Sequence, residues 1–174
     1  MKNILFISGS LRKESVNTKL LKAFEEAFPE EVSTTWANIN LPLYNMDSEG
    51  TFPAEVQVLR EQILGADLIF IATPEYNRGM SGALKNALDW TSRPSGQNAW
   101  SNKRTFVISS STGALAGALA FYQVKQSLLH LNAEVISHPE FMVGRAPEKF
   151  DETGQLQDEQ TAEYIKGAVE KLLS

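Results

Sequence analysis

The sequence predicts an α/β domain in which a five-stranded parallel sheet is doubly wound, with helices on both faces. Three observations predict it. Runs such as Ile4-Leu5-Phe6-Ile7 and Leu68-Ile69-Phe70-Ile71-Ala72 are apolar without alternation, as strands covered on both faces are. Between them, apolar residues recur at the spacing of amphipathic helices. The two patterns alternate from end to end, the order that builds right-handed β-α-β crossovers.

Taken in order, Ile4 to Ile7 is the first strand, and Leu20, Leu21, Phe24 and Phe28 mark the first helix. Val32 to Ile39 reads as the second strand. Pro53 opens a second helix, where its missing N–H is harmless, with Val56, Leu59 and Ile63 as its stripe. Leu68 to Ala72 is the third strand, and Leu84, Ala87 and Leu88 mark the third helix. Thr105 to Ile108 forms the fourth strand. Leu115, Leu119, Leu128 and Leu131 predict a long fourth helix, and Ala133 to Ile136 a short fifth strand. Ile165, Ala168, Val169 and Leu172 close the chain as a helix. There is no repeat, low-complexity tract or linker, so residues 1–174 are expected to form one domain.

Composition excludes several classes of function. The net charge of −5 argues against nucleic acid or an anionic membrane as the main partner. With no cysteine there is no disulfide, catalytic thiolate or cysteine metal site. The apolar run near Met1 is too short for a secretion signal and no segment reaches membrane-spanning length, which predicts a cytoplasmic protein. His130 and His138 have no second ligand at metal spacing, so no metal is expected. A G-x-S-x-G elbow is also missing. Trp36, Trp90 and Trp100 read as packing residues. Leu84, Leu88 and Trp90 are further expected to carry a homodimer contact.

Open α/β sheets bind ligands beyond the carboxyl ends of their strands, where strand order reverses. For the order 2-1-3-4-5 of a flavodoxin-like sandwich, that point lies between the first and third strands. The first loop, Ser8 to Thr18, lacks both the dinucleotide and the P-loop glycine patterns. It still offers what a terminal phosphate needs. Ser10, Ser15, Asn17 and Thr18 are short donors, Arg12 presents a fork of N–H groups, and a helix N-terminus begins near Ser15 or Asn17. Read blandly, Ser15 or Asn17 is only a helix cap and Arg12 a solvated charge. The third-strand loop runs from Thr73 to Gly82. Pro74 imposes an extended start, Asn77 and Gly79 permit unusual backbone angles, and Tyr76 can lie against a flat ring. In the fourth-strand loop, Ser110, Ser111 and Gly113 allow close main-chain approach, and Ser111 or Thr112 is a candidate helix cap.

Taken together, these loops resemble the NADPH-dependent FMN reductase family, which includes bacterial quinone, chromate and azo-dye reductases. The matching pieces are Gly9-Ser10-Leu11-Arg12 with Ser15 and Asn17, Pro74-Glu75-Tyr76-Asn77, and the run from Gly82 to Trp90. The resemblance covers nearly the whole chain. It implies that Ser10, Arg12, Ser15, Asn17 and Thr18 hold the phosphate of a non-covalent FMN. Pro74, Glu75, Tyr76 and Asn77 would border its ring, with Ser110, Ser111 and Gly113 on the other side. It also implies NADPH or NADH as donor, a quinone-like or other small acceptor, and a homodimer or homotetramer. A single flat pocket bounded by Tyr76 and the Ser110–Gly113 turn is expected to give ping-pong turnover, and with the cofactor carrying the chemistry no catalytic side chain is needed. Two positions depart from the family pattern: Ser81, where many relatives have proline, and Gly117-Ala118, where a double glycine is common. Two alternatives stay open: a reductase that supplies reduced FMN to a monooxygenase, and a non-enzymatic electron carrier like flavodoxin. Arg12, Lys13 and Arg78 in the loops favour the enzyme, since such carriers are acidic around their flavin.

Overall fold

The computed structural model describes residues 3–173. Its strands are β1 (Asn3–Ser8), β2 (Ser33–Trp36), β3 (Leu68–Thr73), β4 (Arg104–Ser110), β5 (Glu134–Val135) and β6 (Phe141–Val143). The helices are α1 (Val16–Ala27), α2 (Ala54–Gly65), α3 (Gly82–Thr91), α4 (Ala118–His130) and α5 (Glu159–Leu173). The sheet is parallel in the order β2-β1-β3-β4-β5, and β6 also pairs with β4. This is the predicted flavodoxin-like order.

Both faces of the sheet are buried, which is why its strands are apolar throughout. On one face Leu5, Ile7, Ile69, Ile71 and Val107 pack against α2, α3 and α4 through Leu59, Ile63, Leu84, Leu88, Phe121 and Val124. The opposite face carries Phe6, Phe70, Phe106 and Ile108 and packs against α1 and α5 through Leu20, Phe24, Ile165 and Val169. Phe70 anchors that second layer. Its ring lies 5.2 to 5.7 Å from those of Phe6, Phe24, Phe28 and Phe106, within the range of favourable tilted and edge contacts.

Several expectations need correcting. β2 is confined to Ser33–Trp36; beyond it the Ala37 amide makes one more bond to the Phe6 carbonyl at 2.9 Å, and Ile39 is buried in the core outside the strand. The stripe of α4 that meets the core is Ala120, Phe121, Val124 and Leu128. Leu115 lies before the helix and is 64% exposed, and Leu119 is 49% exposed. Trp90, with Leu84 and Leu88, is buried in its own chain, and the Trp90 indole donates to the Pro42 carbonyl at 2.7 Å. Those three residues are therefore core, not a subunit contact. The sixth strand was not foreseen, because Phe141–Val143 is too short to show a period.

The N-terminus of α5 is fixed by one carboxylate. Asp158 accepts from Lys149 Nζ at 2.7 Å and from the Thr161 amide and hydroxyl. These partners, Lys149 first, lower its pKa from 3.8 to about 2. A depressed carboxyl pKa adds stability above its unfolded value, and that stability is lost as pH falls through the folded value. Asp158→Asn is therefore expected to lower the melting temperature above pH 3.8, with the deficit closing towards pH 2. A deficit that does not change with pH would show that the charge of Asp158 is irrelevant.

Candidate functional site

The loops that leave β1, β3 and β4 meet at the carboxyl edge of the sheet and lead into the N-termini of α1, α3 and α4. Their junction is Gly9. Its N–H donates to the Ala72 carbonyl at 2.8 Å, and a Cβ there would lie 2.9 Å from both that oxygen and Pro74 Cδ. Only a residue without a side chain lets the two loops approach this closely. Ser81 closes the junction by donating to the Gly9 carbonyl at 2.5 Å while accepting from the Leu84 amide to cap α3. A proline at position 81 would have no hydroxyl to make either bond.

The β1 loop is organised by its own hydroxyls. Ser8 Oγ lies 2.7 Å from Thr18 Oγ1, and Ser10 Oγ accepts from the Arg12 amide at 3.3 Å. Ser15 is the N-cap of α1 and accepts from the Thr18 amide at 3.4 Å, as one of the two readings of that helix start expected. The first-turn N–H groups of Val16 and Asn17 have no partner inside the helix, as at any helix N-terminus. Arg12 is exposed and belongs to none of the described ion pairs, whereas the neighbouring Glu14 pairs with Lys19 at 3.4 Å. Asn17 is used differently from expectation. It is 2% exposed; its amide donates to the Ser110 carbonyl at 2.9 Å and accepts from the Ser110 N–H at 2.9 Å. Its side chain joins α1 to the end of β4, leaving only its main-chain N–H for an anion. Ser110 Oγ, beside this bridge, is a buried side-chain oxygen with no hydrogen-bond partner.

The β3 loop is a tight hairpin. Tyr76 and Gly79 exchange both main-chain bonds at 2.9 and 3.0 Å around Asn77 and Arg78, whose φ angles are 51° and 66°. The unusual angles thus fall on Asn77 and Arg78, and Gly79 does not share them. Pro74 is buried, Asn77 is exposed, and the Tyr76 ring is 52% exposed. The Glu75 carboxylate does not face outwards. It accepts from the Leu119 and Ala120 amides at 3.0 and 3.3 Å and so caps α4 from another loop. That corrects the expected cap at Ser111 or Thr112: α4 starts at Gly117, which has no side chain to offer. Ser111 Oγ instead accepts from the Gly113 amide at 3.2 Å. The β4 loop rests on Gly144, where a Cβ would stand 2.9 Å from the Ala114 carbonyl.

Some positioning residues were invisible in the sequence. Gln123 on α4 accepts from the Met80 amide at 2.7 Å and so holds the far end of the hairpin. Asn86 on α3 donates to the Pro42 carbonyl at 2.9 Å and accepts from the Tyr44 amide at 2.8 Å, docking the segment after β2. No local pattern marks such long-range partners. A cleft of about 350 Å³ lies between the first loop and the segment after β6, with Arg12, Val16, Thr112 and Phe150 in its walls together with the carboxylates of Glu14, Asp151 and Glu152. The larger cleft of about 450 Å³ lies between the edge strand β6 and α5. Strand topology, rather than cavity size, locates the ligand in a sheet of this kind.

The residues present suit FMN group by group. A phosphate would meet an arginine that is in none of the described ion pairs, serine hydroxyls and first-turn amides, with the carboxylates of Glu14, Asp151 and Glu152 in the same cleft. A flat ring finds an exposed tyrosine and a main-chain hairpin. Such a sheet and such loops define a flavodoxin-like nucleotide-binding protein. Residues 2–148 match the family model for NADPH-dependent FMN reductase, and the chain belongs to that family of FMN- and NAD(P)H-dependent oxidoreductases. It is 41% identical over 174 residues to a quinone reductase of Pseudomonas putida, covering 99% of this chain and 93% of that one. Over 168 residues it is 42% identical to an NADPH:quinone oxidoreductase of Arabidopsis thaliana, covering 92% and 84% of the two chains. Among solved structures it resembles FerB, a flavoenzyme NAD(P)H:(acceptor) oxidoreductase from Paracoccus denitrificans. The TM-score is 0.91 at 36% identity, over 99% of this chain and 96% of that one. No described helix is long and apolar enough to cross a membrane.

Removing the Asn17 amide strands two buried main-chain groups of Ser110. Asn17→Ala should lower the unfolding free energy of the apoprotein by about 2–4 kcal/mol, read by chemical denaturation. A loss below about 0.5 kcal/mol, the value of an ordinary surface change, would mean the bridge does not stabilise the fold.

Proposed function

We propose that this chain acts as a single domain that passes electrons from NADPH or NADH, by way of bound FMN, to quinone-like or other small acceptors in the cytoplasm. The observation that carries the site assignment is Arg12, in none of the described ion pairs, beside the open first turn of α1. In this reading Arg12 and the hydroxyls of Ser10, Ser15 and Thr18 hold the phosphate, with the main-chain N–H of Asn17. The hairpin from Pro74 to Asn77 borders the ring through its main chain and the Tyr76 ring, and Ser110, Ser111 and Gly113 line the other side. FMN, when bound, supplies the two-electron chemistry. The protein contributes position, hydrogen bonds and exclusion of water, and no side chain serves as acid or base.

The Arg12 assignment predicts a selective loss. Arg12→Ala should weaken FMN by about 1.5–3 kcal/mol, the range for a hydrogen bond to a charged group, and leave riboflavin nearly unchanged. Equal losses for both ligands would take Arg12 out of the phosphate site.

In this reading the flavin ring offers one exposed face, beside Tyr76 and the turn from Ser110 to Gly113, and donor and acceptor use it in turn. Double-reciprocal plots with quinone varied at several NADPH concentrations should be parallel, and rapid mixing with NADPH alone should bleach the visible flavin absorbance. Intersecting lines with no bleaching before acceptor is added would place both substrates on the protein together.

Assembly is also part of the proposal. Tyr76, Leu115, Leu119 and Tyr122 are large apolar side chains exposed beside the loops, the kind of patch that marks an interface. A second copy covering them yields a symmetric homodimer, or a homotetramer built from two such pairs. Light scattering should show a dimer or larger for the native protein and a shift towards monomer for Leu119→Glu. A native protein that is monomeric and fully active would refute this.

A further inference from the structure

We infer that Glu75 is a positioning residue that fills the N-terminus of α4 with the protein's own anion, so that a phosphate-bearing ligand can be held only at α1 and lies across the cleft in one direction. The inference rests on the reading of α1 as the phosphate site and goes beyond it.

Three helices, α1, α3 and α4, begin at the carboxyl edge of the sheet, and each N-terminus is treated differently. At α3 the capping Ser81 is buried and its hydroxyl is bonded to Gly9 and to the Leu84 amide, so the cap is already satisfied. At α1 the cap is the neutral Ser15, its bond is a long 3.4 Å, and Arg12 is in none of the described ion pairs. At α4 the chain offers no cap of its own, because Gly117 is followed by Ala118, Leu119 and Ala120. Glu75 supplies one from the neighbouring hairpin. Its Oε2 sits on the Leu119 and Ala120 amides, and its Oε1 lies 3.6 Å from Arg78 Nη1. The Glu75 side chain is only 12% exposed. Both α1 and α4 thus pair a helix N-terminus with an arginine, a combination that attracts anions. At α4 the positive charge is already met by a carboxylate, and a phosphate there would face a like charge at close range. Gln123, bonded to the Met80 amide, ties the far end of the hairpin to the same helix and keeps Glu75 in place.

The experiment is a titration of the ¹⁵N-labelled apoprotein with inorganic phosphate, followed through its amide resonances. In the native protein the Val16 and Asn17 amides should move while those of Leu119 and Ala120 stay still. In Glu75→Gln, which keeps an acceptor oxygen but loses the charge, Leu119 and Ala120 should move over the same phosphate range. Adding Arg78→Ala should then weaken that second response several-fold. Movement of Leu119 and Ala120 in the native protein, or their silence in Glu75→Gln, overturns the inference. If Glu75→Gln does not fold, Glu75→Ala, which removes the carboxylate and leaves the α4 amides open, is read in the same way, and silence of Leu119 and Ala120 there overturns the inference. Silence of Val16 and Asn17 in both proteins, with Leu119 and Ala120 responding in the variant, overturns the α1 reading and supports the role of Glu75 at α4.

Discussion

The close approach of Gly9 to the end of β3 is the constraint on which the site depends. Two parallel strands must leave the sheet side by side, one turning towards α1 and the other towards α3. Their main chains can meet only because one residue has no Cβ. With Gly9 bonded to Ala72 and Ser81 bonded back to Gly9, the β1 loop, the β3 hairpin and the first turn of α3 share one set of bonds. A methyl group at position 9 would push against main chain and a proline ring, which have little room to yield. The separation between the β1 loop and the β3 hairpin is therefore set before any ligand arrives.

Polar side chains around the cleft divide into two kinds. Asn17 and Glu75 are spent on joining elements: α1 to β4, and the β3 hairpin to α4. Arg12, Tyr76 and the exposed turn at Gly113 are left free to face outwards. This division suits a cofactor that carries its own chemistry, because the protein then needs rigid walls more than it needs acids and bases. It also fits a site held together largely by main-chain bonds.

Much of this was legible in the sequence. A parallel sheet covered on both faces followed from uninterrupted apolar strands and their alternation with helices, and its order is the one the flavodoxin-like class carries. The position of the loops followed from topology alone, and the start of α1 from a serine at the right offset. What escaped was long-range. Nothing near Asn17 says that its amide reaches Ser110, and nothing near Glu75 says that it caps a helix some forty residues on. Local reasoning gave the Asn17 side chain a ligand role, and the family resemblance placed Glu75 beside the ring, because a polar residue in a loop looks the same whether its partner is a cofactor or a distant main chain. The apolar face of α3 misled for a related reason. Leu84, Leu88 and Trp90 could equally have faced a partner, until the segment after β2 was seen to pack over them.

The bridge between Asn17 and Ser110 spans 93 positions of the chain, and the β4 loop in turn leans on Gly144. A chain emerging from the ribosome releases α1 early, but its anchor on β4 and the support behind that anchor arrive only with β6. Until then the loop after β1 lacks its tie to β4. The nascent protein thus has no finished pocket to offer during most of its synthesis. Cofactor capture becomes a post-translational event, and the apoprotein must be stable enough to wait for it.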